Sequence, residues 1–527
     1  MHIDILTKIY KDKKILILGL GKENKQFLKW LLEVVKLSPE QICLADKKEF
    51  TYIEKYQDII PQSNFFNGPD YLKSLERADV EYVFKAPGIW SLLPELEKFR
   101  EKKGQDRVLS SLVFFVEKFR KQIIGVNGTK GKSTTSALIS HILNKSKTNT
   151  GEQIVSYYCG NTTGISPYQY WTSFEQKVTE NQFFVIEMSS FQLQDLGYSK
   201  ISPSYAVVTN YFIDHQDQHA TPEEYWQSKE NLFLYQKDED TIVITDQVLI
   251  HTTQTGVLNR AIKIGDEEVK TICSKIKTPL IGFHNQTNLS EALVIVEAAL
   301  TSATELPKLI SNILAKNDHY QEILNSFQGL SHRLELVHEC ESKLFLDSGV
   351  SIPLKINFYD DGAASEPDAV VAALDALTQE KGSFVWLQIS GFDKKPALDA
   401  LIDKILEKQI SNQIFTVDYC GAVGKRLIEE IYTKLGVPQE VDLENFKNTV
   451  EREFSNFESI RLRFEKYYRE QIQNYDALGE FQKVAELTLI EKVTLNILLS
   501  PSGSSFDEFE NYIQRCEWWV GKAKKMV

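Results

Sequence analysis

The stretch Gly125-Val-Asn-Gly-Thr-Lys-Gly-Lys132-Ser133-Thr-Thr decides the fold of this chain. It follows an apolar pair and opens the periodic segment 136–143, which is the order strand, glycine-rich turn, helix. Backbone amides in such a turn converge on phosphate oxygens, and the helix N-terminus adds partial positive charge. Lys132 would reach terminal phosphates, and the Ser133 hydroxyl would bind Mg²⁺. The usual P-loop requires glycine at the position of Val126, so this is a variant P-loop; the alternative is a turn that binds nothing.

The composition describes an ordinary globular protein, with 42% hydrophobic and 25% charged residues among 527. That length suggests about three domains. A net charge of −13 argues against binding to a nucleic-acid backbone. Six cysteines without a Cys-x-x-Cys pair suggest reduced thiols in a cytoplasmic protein. We expect no signal peptide, because residues 1–8 are too polar, and no membrane insertion, because no apolar run approaches ~20 residues.

The first predicted strand, 13–18, enters the turn Gly19-Leu-Gly, but the third glycine of the dinucleotide fingerprint is Asn24. The second strand ends at Asp46, where a ribose-binding acid could lie. A site for NAD, a site for a different nucleotide and a purely structural turn all remain open. Another strand ends in the turn Pro87-Gly88, and such strand ends line the ligand crevice of doubly wound sheets.

Several polar residues follow the P-loop. Glu187 ends a buried strand and is either a Mg²⁺ ligand or a solvated acid. His215 lies among acids, in a cation site or a merely polar loop. Lys229 on a predicted helix is read, from the pattern alone, as a solvated charge. Asn285 and Asn288 are three residues apart; we expect one to cap a helix, and both could contact a nucleotide.

Strands again alternate with helices in the last third of the chain, which predicts a parallel sheet there. Residues 441–478 differ, because aromatic and aliphatic residues recur there every three or four positions. We expect a long amphipathic helix or a helical pair, inserted in the domain and packed on it rather than serving as a docking surface.

Several stretches together resemble the Mur ligases of peptidoglycan synthesis. They are Gly128-Thr-Lys-Gly-Lys-Ser-Thr-Thr, Glu187-Met-Ser-Ser-Phe-Gln-Leu, Asp214-His215-x-Asp, Gly282-x-His-Asn285-x-x-Asn288, His332-Arg333-Leu-Glu and Leu498-Leu-Ser-Pro-Ser-Gly-Ser-Ser-Phe-Asp-x-Phe. The Gly19-Leu-Gly turn, the Ala86-Pro-Gly-Ile turn and the last motif are most similar to the members that add D-glutamate. The match runs in order along nearly the whole chain.

The resemblance implies an α/β fold of three domains. These are a Rossmann-like UDP-substrate domain (1–107), a central P-loop ATPase with a mostly parallel sheet (108–331), and a Rossmann-like amino-acid domain (332–527) carrying the helical insertion near 441–478. It implies that ATP phosphorylates the carboxylate of UDP-N-acetylmuramoyl-L-alanine and that the amine of D-glutamate captures the acyl phosphate. We expect a cytoplasmic monomer that uses two Mg²⁺ ions.

The resemblance also implies roles for individual residues. Catalytic residues are Lys132, Glu187, His215 and Lys229; metal ligands are Ser133, Glu187, His215 and Lys229, the lysine being carboxylated by CO₂. ATP would contact Gly128, Thr129, Lys130, Gly131, Lys132, Ser133, Thr134, Asn285, Asn288, Arg333 and Asp347. The UDP-substrate would contact Gly19, Leu20, Gly21, Lys22, Asp46, Lys47, Pro87, Gly88, Asn161, Ser189 and Gln192. The amino acid would contact Ser351, Lys394, Ser505, Phe506 and Tyr512.

Two departures limit these expectations. First, the family's Asp-Ser-Lys-x-Thr motif is matched with Asp347-Ser348-Gly349-Val-Ser351, so the lysine that holds the incoming carboxylate is missing. Second, Ala86 stands where the family has a serine. A different acceptor amino acid is therefore an alternative, as is a ligase resembling folylpolyglutamate synthase. An oxidoreductase using the Gly19–Asp46 segment and an inactive ATP-binding scaffold are the rivals from other classes.

Overall fold

A computed structural model describes residues 13–48, 58–148, 150–160, 163–173, 179, 181–212, 221–252, 256, 260–393, 395, 397–437, 439–505 and 508–526. The chain divides into two compact units, residues 1–279 with 285–327 and residues 280–284 with 328–527. Within the described residues, the first unit holds two sheets and the second holds one. Strands and helices alternate along most of the described chain, which confirms the predicted α/β class; the three-domain division stays a prediction.

The first sheet is five-stranded, parallel, and ordered β3-β2-β1-β4-β5. Its strands are β1 (Lys14–Leu18), β2 (Ile42–Asp46), β3 (Phe65–Asn67), β4 (Val80–Lys85) and β5 (Val108–Leu109), with helices α1 (Lys22–Glu33) and α2 (Pro94–Lys103). The strand order reverses between β1 and β4, so the turns that follow these two strands meet at the crevice where such sheets bind ligands.

The second sheet is also parallel, in the order β11-β10-β9-β6-β8-β7. Its strands are β6 (Ile123–Asn127), β7 (Val155–Gly160), β8 (Gln182–Glu187), β9 (Tyr205–Val208), β10 (Thr241–Thr245) and β11 (Ile262–Ile264). The helices are α3 (Ser111–Phe119), α4 (Lys132–Lys145), α5 (Ser190–Tyr198), α6 (Pro222–Glu230), α7 (Asp246–Leu249), α8 (Asp266–Lys275), α9 (Phe283–Thr301), α10 (Leu306–Ala315) and α11 (Asn317–Asn325). The central strand β6 is buried along its whole length, as expected for a sheet covered on both faces.

One apolar core serves both sheets of the first unit. Phe27 of the first sheet's helix packs on Tyr168 at 4.9 Å between ring centroids. Tyr168 packs on Phe115, and Phe115 packs on Phe184 of β8 at 4.9 Å. A continuous cluster of buried residues therefore joins the two sheets.

The third sheet has the order β12-β13-β16-β14-β15, with β12 antiparallel to β13 and the other pairs parallel. Its strands are β12 (Glu335–Phe345), β13 (Ser351–Asp360), β14 (Ser383–Ser390), β15 (Ile414–Tyr419) and β16 (Val493–Ser502). The helices are α12 (Pro367–Leu377), α13 (Asp399–Ile410), α14 (Gly421–Lys434), α15 (Phe446–Glu453), α16 (Phe457–Ala477), α17 (Phe481–Thr488) and α18 (Tyr512–Ala523).

The inserted segment forms helices, as predicted, with α15 and α16 each beginning at an asparagine cap. Phe464 and Tyr468 are fully buried and pack edge-on against Phe384 of β14. The apolar stripe of the insertion therefore covers one face of the third sheet, which confirms the expectation that it packs on its own domain.

All six cysteines are free thiols, and five of them are buried. In the part of the chain that the structure describes, no helix combines the length and the apolar character needed to cross a bilayer.

Candidate active site

The P-loop follows β6 and ends at the first residue of α4. Gly128 and Gly131 have φ angles of 147° and 79°, a region that favours glycine. A side chain at position 128 would overlap the hydroxyl of Thr209, and a Cβ at position 131 would lie 2.5 Å from Asn288 Oδ1. Both glycines are therefore required by close contacts as well as by backbone conformation. The predicted ATP-binding residues 128–134 form this loop and the first turn of α4.

The loop is tied to the end of β9 by Asn210. Its Oδ1 accepts hydrogen bonds from the amides of Thr129 (3.1 Å) and Lys130 (2.8 Å). Lys132 Nζ donates to the carbonyl oxygens of Gly128 (2.8 Å) and Thr129 (2.9 Å). The ammonium group thus lies over the loop, where a triphosphate would be received.

Glu187 and Ser133 are brought together by Tyr158. Glu187 is the last residue of β8, is 1% exposed and pairs in register with Val126 of β6. The hydroxyl of Tyr158 lies 3.5 Å from Glu187 Oε2 and donates to the carbonyl of Ser133 at 3.2 Å. This contact reaches the backbone of Ser133; the side chains of the two residues offer a hydroxyl and a carboxylate, the hard oxygen donors that Mg²⁺ prefers.

Lys229 is 1% exposed, so the interpretation of a solvated helix lysine was wrong. Its Nζ donates to Asn127 Oδ1 at 3.1 Å and lies 4.3 Å from the ring centroid of Tyr225. Asn127 directly precedes Gly128 and also donates to the carbonyl of Met188 at 2.5 Å. The lysine is therefore linked through one side chain to both the P-loop and the end of β8. Lys229 was misread because α6 buries residues on several faces, which periodicity alone does not reveal.

Asn285 and Asn288 both lie inside α9, which begins at Phe283, so neither occupies the cap position before the helix, where we expected one of them. Asn288 Nδ2 donates to Asn285 Oδ1 at 3.1 Å, and both side chains are buried. Because Asn288 also packs against Gly131, this pair forms a wall of the P-loop.

The predicted UDP-substrate residues of the first sheet share one edge. The turn 19–22, Asp46 with Lys47, and the Pro87-Gly88 turn follow β1, β2 and β4. Asp46 Oδ2 accepts a hydrogen bond from the amide of Leu20 at 2.6 Å. Asn24, in place of the third fingerprint glycine, donates to the carbonyl of Gly19 at 2.9 Å and so braces the turn.

Ser189 and Gln192 form a capping box at the start of α5. Gln192 Nε2 also donates to Glu23 Oε2 at 2.9 Å, which links the second sheet to α1. These contacts are structural and do not test the predicted role of Ser189 and Gln192 in substrate binding, which stays a prediction. Four further predicted residues, Asn161, His215, Lys394 and Phe506, lie outside the described residues.

In the second unit, the structure does not bring Asp347 and Ser351 to the edge predicted for them. They flank the turn of the β12–β13 hairpin, where Phe345 pairs with Ser351. Asp347 lies 3.1 Å from Arg469 Nη1 and accepts from Gln473. β13 then runs ten residues to Asp360, about 30 Å away at ~3.3 Å per residue. The carboxyl ends of β13, β14 and β16, with Ser505, lie at that opposite edge.

Sequence reasoning missed Asp361, which follows β13 at this edge. It is buried; Ser500 Oγ donates to its Oδ2 at 2.8 Å and the amide of Leu334 to its Oδ1 at 3.1 Å. Burial raises the pKa of Asp361 to about 7. The available signal was a buried strand ending in Asp-Asp-Gly ahead of a helix. Arg333 lies in the turn before β12, and Tyr512 begins α18, its ring 6.2 Å from that of His332.

Comparisons with known proteins agree with this site. Residues 126–296 match the Mur ligase middle domain. The chain is 28% identical over 453 residues to the UDP-N-acetylmuramoylalanine--D-glutamate ligase of Clostridium kluyveri, covering 84% of this chain and 88% of that protein. It is 26% identical to the enzyme of the same name from Ruminiclostridium cellulolyticum, covering 97% of both.

Among solved structures, UDP-N-acetylmuramate-alanine ligase MurC from Thermotoga maritima is 15% identical with a TM-score of 0.43, covering 97% of this chain and 99% of that one. The similarity to curated ligases of this name therefore extends along most of the sequence, and the middle-domain match covers the residues of the P-loop site.

Proposed function

We propose that this chain is an ATP-dependent ligase that joins D-glutamate to UDP-N-acetylmuramoyl-L-alanine in peptidoglycan precursor synthesis. The observation that carries the proposal is the assembly of Lys132, Ser133, Glu187 and Lys229 around the ends of β6 and β8. The names of the relatives support this choice of substrates. Free thiols support the cytoplasm as its compartment, and a monomeric state stays a prediction.

The first step makes the substrate carboxylate reactive. A carboxylate oxygen attacks the γ-phosphorus of ATP, the bond to the ADP oxygen breaks, and an acyl phosphate forms. Lys132 lies at the phosphate loop, where its charge offsets the repulsion between two anions. Ser133 and Glu187 would hold Mg²⁺, with His215 as a further proposed ligand, and the ion would neutralise charge on the phosphates.

Lys229 is proposed to act as a carbamate. The ammonium group would first lose one proton to solvent, and the neutral amine nitrogen would then bond to the carbon of CO₂ and lose a second proton, which changes the group from a cation to an anion. An ammonium buried beside Mg²⁺ would repel the ion, whereas a carbamate would attract it. The complete burial of Lys229 and its contact with Asn127, next to the P-loop, support this assignment.

In the second step the amine of D-glutamate attacks the acyl carbon, the bond to phosphate breaks, and the amine loses a proton. We infer that Asp361 and Ser365, rather than Asp347 and Ser351, fill the Asp-x-x-x-Ser/Thr positions of the family motif. They have the same spacing and follow a strand at the carboxyl edge of the sheet. Ala363 then takes the lysine position, so the family lysine is absent in this alignment too. Lys394, Ser505, Phe506 and Tyr512 remain the proposed amino-acid pocket.

The proposed activity is tested by phosphate release from purified protein with Mg-ATP, UDP-N-acetylmuramoyl-L-alanine and a panel of amino acids. We expect release with D-glutamate, and its loss in Lys132→Ala. Lys145→Ala is the matched control, because Lys145 is exposed at the far end of the same helix. Release only with another amino acid, or only with a folate acceptor, would identify the alternative ligases. Absence of release with every pair would refute the proposal.

The reassigned motif is tested by comparing Asp361→Asn with Asp347→Asn. Because Asp361 is buried at the carboxyl edge and Asp347 is exposed at the hairpin turn, only the first change should lower kcat/KM. Circular dichroism of both variants serves as the folding control. An equal loss of activity in the two variants, or loss in Asp347→Asn alone, would restore the original assignment.

A further inference from the structure

Three metal-binding types of side chain meet at the carboxyl end of β13, in the second unit. They come from separate elements: His332 from the turn before β12, Asp360 from the last position of β13, and Cys516 from the second turn of α18. His332 Nδ1 lies 2.7 Å from Asp360 Oδ2, and the donor atoms of all three residues lie within 4.8 Å of one another. We propose that this cluster binds a thiophilic divalent cation of the zinc class.

The donor set selects the metal. A thiolate, an imidazole and a carboxylate together are typical of zinc, whereas Mg²⁺ prefers oxygen ligands alone. Three protein ligands leave a fourth tetrahedral position for water or another small ligand. This site therefore differs in chemistry from the P-loop, where the hydroxyl of Ser133 and the carboxylate of Glu187 are the donors.

The surroundings hold the donors in place. Asp360 and Cys516 are fully buried, and Asp360 Oδ1 accepts a hydrogen bond from the amide of Gly362 at 2.9 Å. That bond orients the carboxylate, as outer-shell partners do in metal sites. A Cβ at position 362 would overlap Cys516 Sγ, so the space for the thiol exists only beside glycine. His332 has a φ of 64°, a strained backbone conformation of the kind found at functional sites.

Metal binding requires two proton movements. The thiol of Cys516 loses its proton to solvent, since the thiolate is the ligand. Nδ1 of His332 must carry a free lone pair, so a proton on that atom moves to Nε2 or leaves. His332 is the partly exposed member of the cluster and marks the side from which an ion enters.

A bound ion would join α18 to the end of β13. The residue before Cys516, Arg515, already donates to the carbonyls of Gly362 (3.2 Å), which follows β13, and of Gly503 (3.3 Å), which follows β16. The metal would therefore brace the edge at which Asp361 lies. This inference does not depend on the proposed ligase reaction, because its test measures metal binding alone.

The test uses the full chain, freed of metal with a chelator and titrated with Co²⁺ as a spectroscopic probe for Zn²⁺. We expect a thiolate-to-cobalt charge-transfer band in the near ultraviolet that saturates at one ion per chain. Zn²⁺ should abolish the band by displacement, and excess Mg²⁺ should leave it unchanged. Cobalt bound at the P-loop would give no such band, since no thiol lies among the P-loop residues 125–135. Absence of the band in the unmodified protein would overturn the proposal.

Cys516→Ser should remove the band. Loss of an outer-shell partner typically weakens metal binding about 10- to 100-fold, so loss of the thiolate ligand should weaken it by about 100-fold or more. Cys340→Ser is the control, because Cys340 forms a second thiol–imidazole contact, 3.2 Å from His338 Nε2. His332→Gln changes a partly exposed ligand and decides the question if Cys516→Ser does not fold. A band that survives Cys516→Ser or His332→Gln, or that disappears in Cys340→Ser, would overturn the proposal.

Discussion

Replacing Lys85 by methionine should destabilise the first unit strongly. Lys85 ends β4, immediately before the turn at Pro87, and its side chain is 2% exposed. Its Nζ lies 2.8 Å from Asp195 Oδ1 on α5 and also donates to the carbonyl of Ile89 at 3.0 Å. Ser91 Oγ donates to the same carboxylate at 2.8 Å. The pair therefore connects the two sheets at a point from which water is excluded.

The size of this loss of stability follows from the burial of the Lys85–Asp195 pair. Two unit charges 2.8 Å apart attract by about 6 kcal/mol at an effective dielectric constant of about 20, a gain largely offset by the loss of hydration. Removing Lys85 leaves Asp195 buried with the Ser91 hydroxyl as its main remaining support. Breaking a buried pair on one side in this way costs about 3–5 kcal/mol. Replacing both members, by Lys85→Met with Asp195→Leu, should return the free energy of unfolding to within about 1–2 kcal/mol of the original.

The assay is urea denaturation of these variants in one buffer. Lys73→Met is the matched control: Lys73 forms a pair of similar length, 3.0 Å, with Asp70, but both side chains are more than half exposed. Its loss should change the free energy of unfolding by less than about 1 kcal/mol. Equal effects of Lys85→Met and Lys73→Met would refute the argument from burial. Failure of the double replacement to recover stability would show that packing, rather than the unpaired charge, dominates.

Three further outcomes are expected. Lys229→Ala should abolish turnover, and a short carboxylic acid such as acetate should partly restore it if the missing group is an anion; full activity in the variant would contradict the assigned role. Burial raises the pKa of Glu291 to about 8 from an ordinary 4.5, so folding favours the protonated form of this residue. The free energy of unfolding should therefore fall as the pH rises from about 4.5 to about 8, by up to about 5 kcal/mol. Glu291→Gln should flatten that dependence in melting temperatures measured against pH, and an unchanged slope would exclude this residue as its source. Gly131→Ala should weaken ATP binding more than Gly151→Ala, because both glycines have φ near 80° but only a side chain at 131 would meet Asn288; equal affinities of the two variants for ATP would show that this contact is unimportant.

The P-loop was predictable because its signal is local. Two glycines, two lysines and a serine lie within six residues, and the strand and helix around them have clear periodicity. The buried position of Lys229 was not predictable from periodicity, because burial depends on what packs against α6. The family resemblance supplied a role for this residue that its helical pattern did not indicate.

The position of the motif near Asp347 in the fold could not be predicted from the sequence. The residues match a strand end in the sequence, but β12 pairs antiparallel with β13 and the match falls in the connecting turn. Strand direction is a property of pairing, which alternation of apolar residues does not report. The neighbouring Asp-Asp-Gly, in contrast, follows the last buried positions of β13 and lies at the carboxyl edge of the sheet.

The aromatic core common to the first and second sheets limits how the chain can be divided. A fragment that started at residue 105 would leave the rings of Phe115 and Tyr168 facing water where Phe27 had been. Such a fragment should aggregate when expressed alone, whereas coexpression with residues 1–104 should rescue it as a split protein. The two sheets therefore form a single folding unit, although they are built from consecutive segments of the chain.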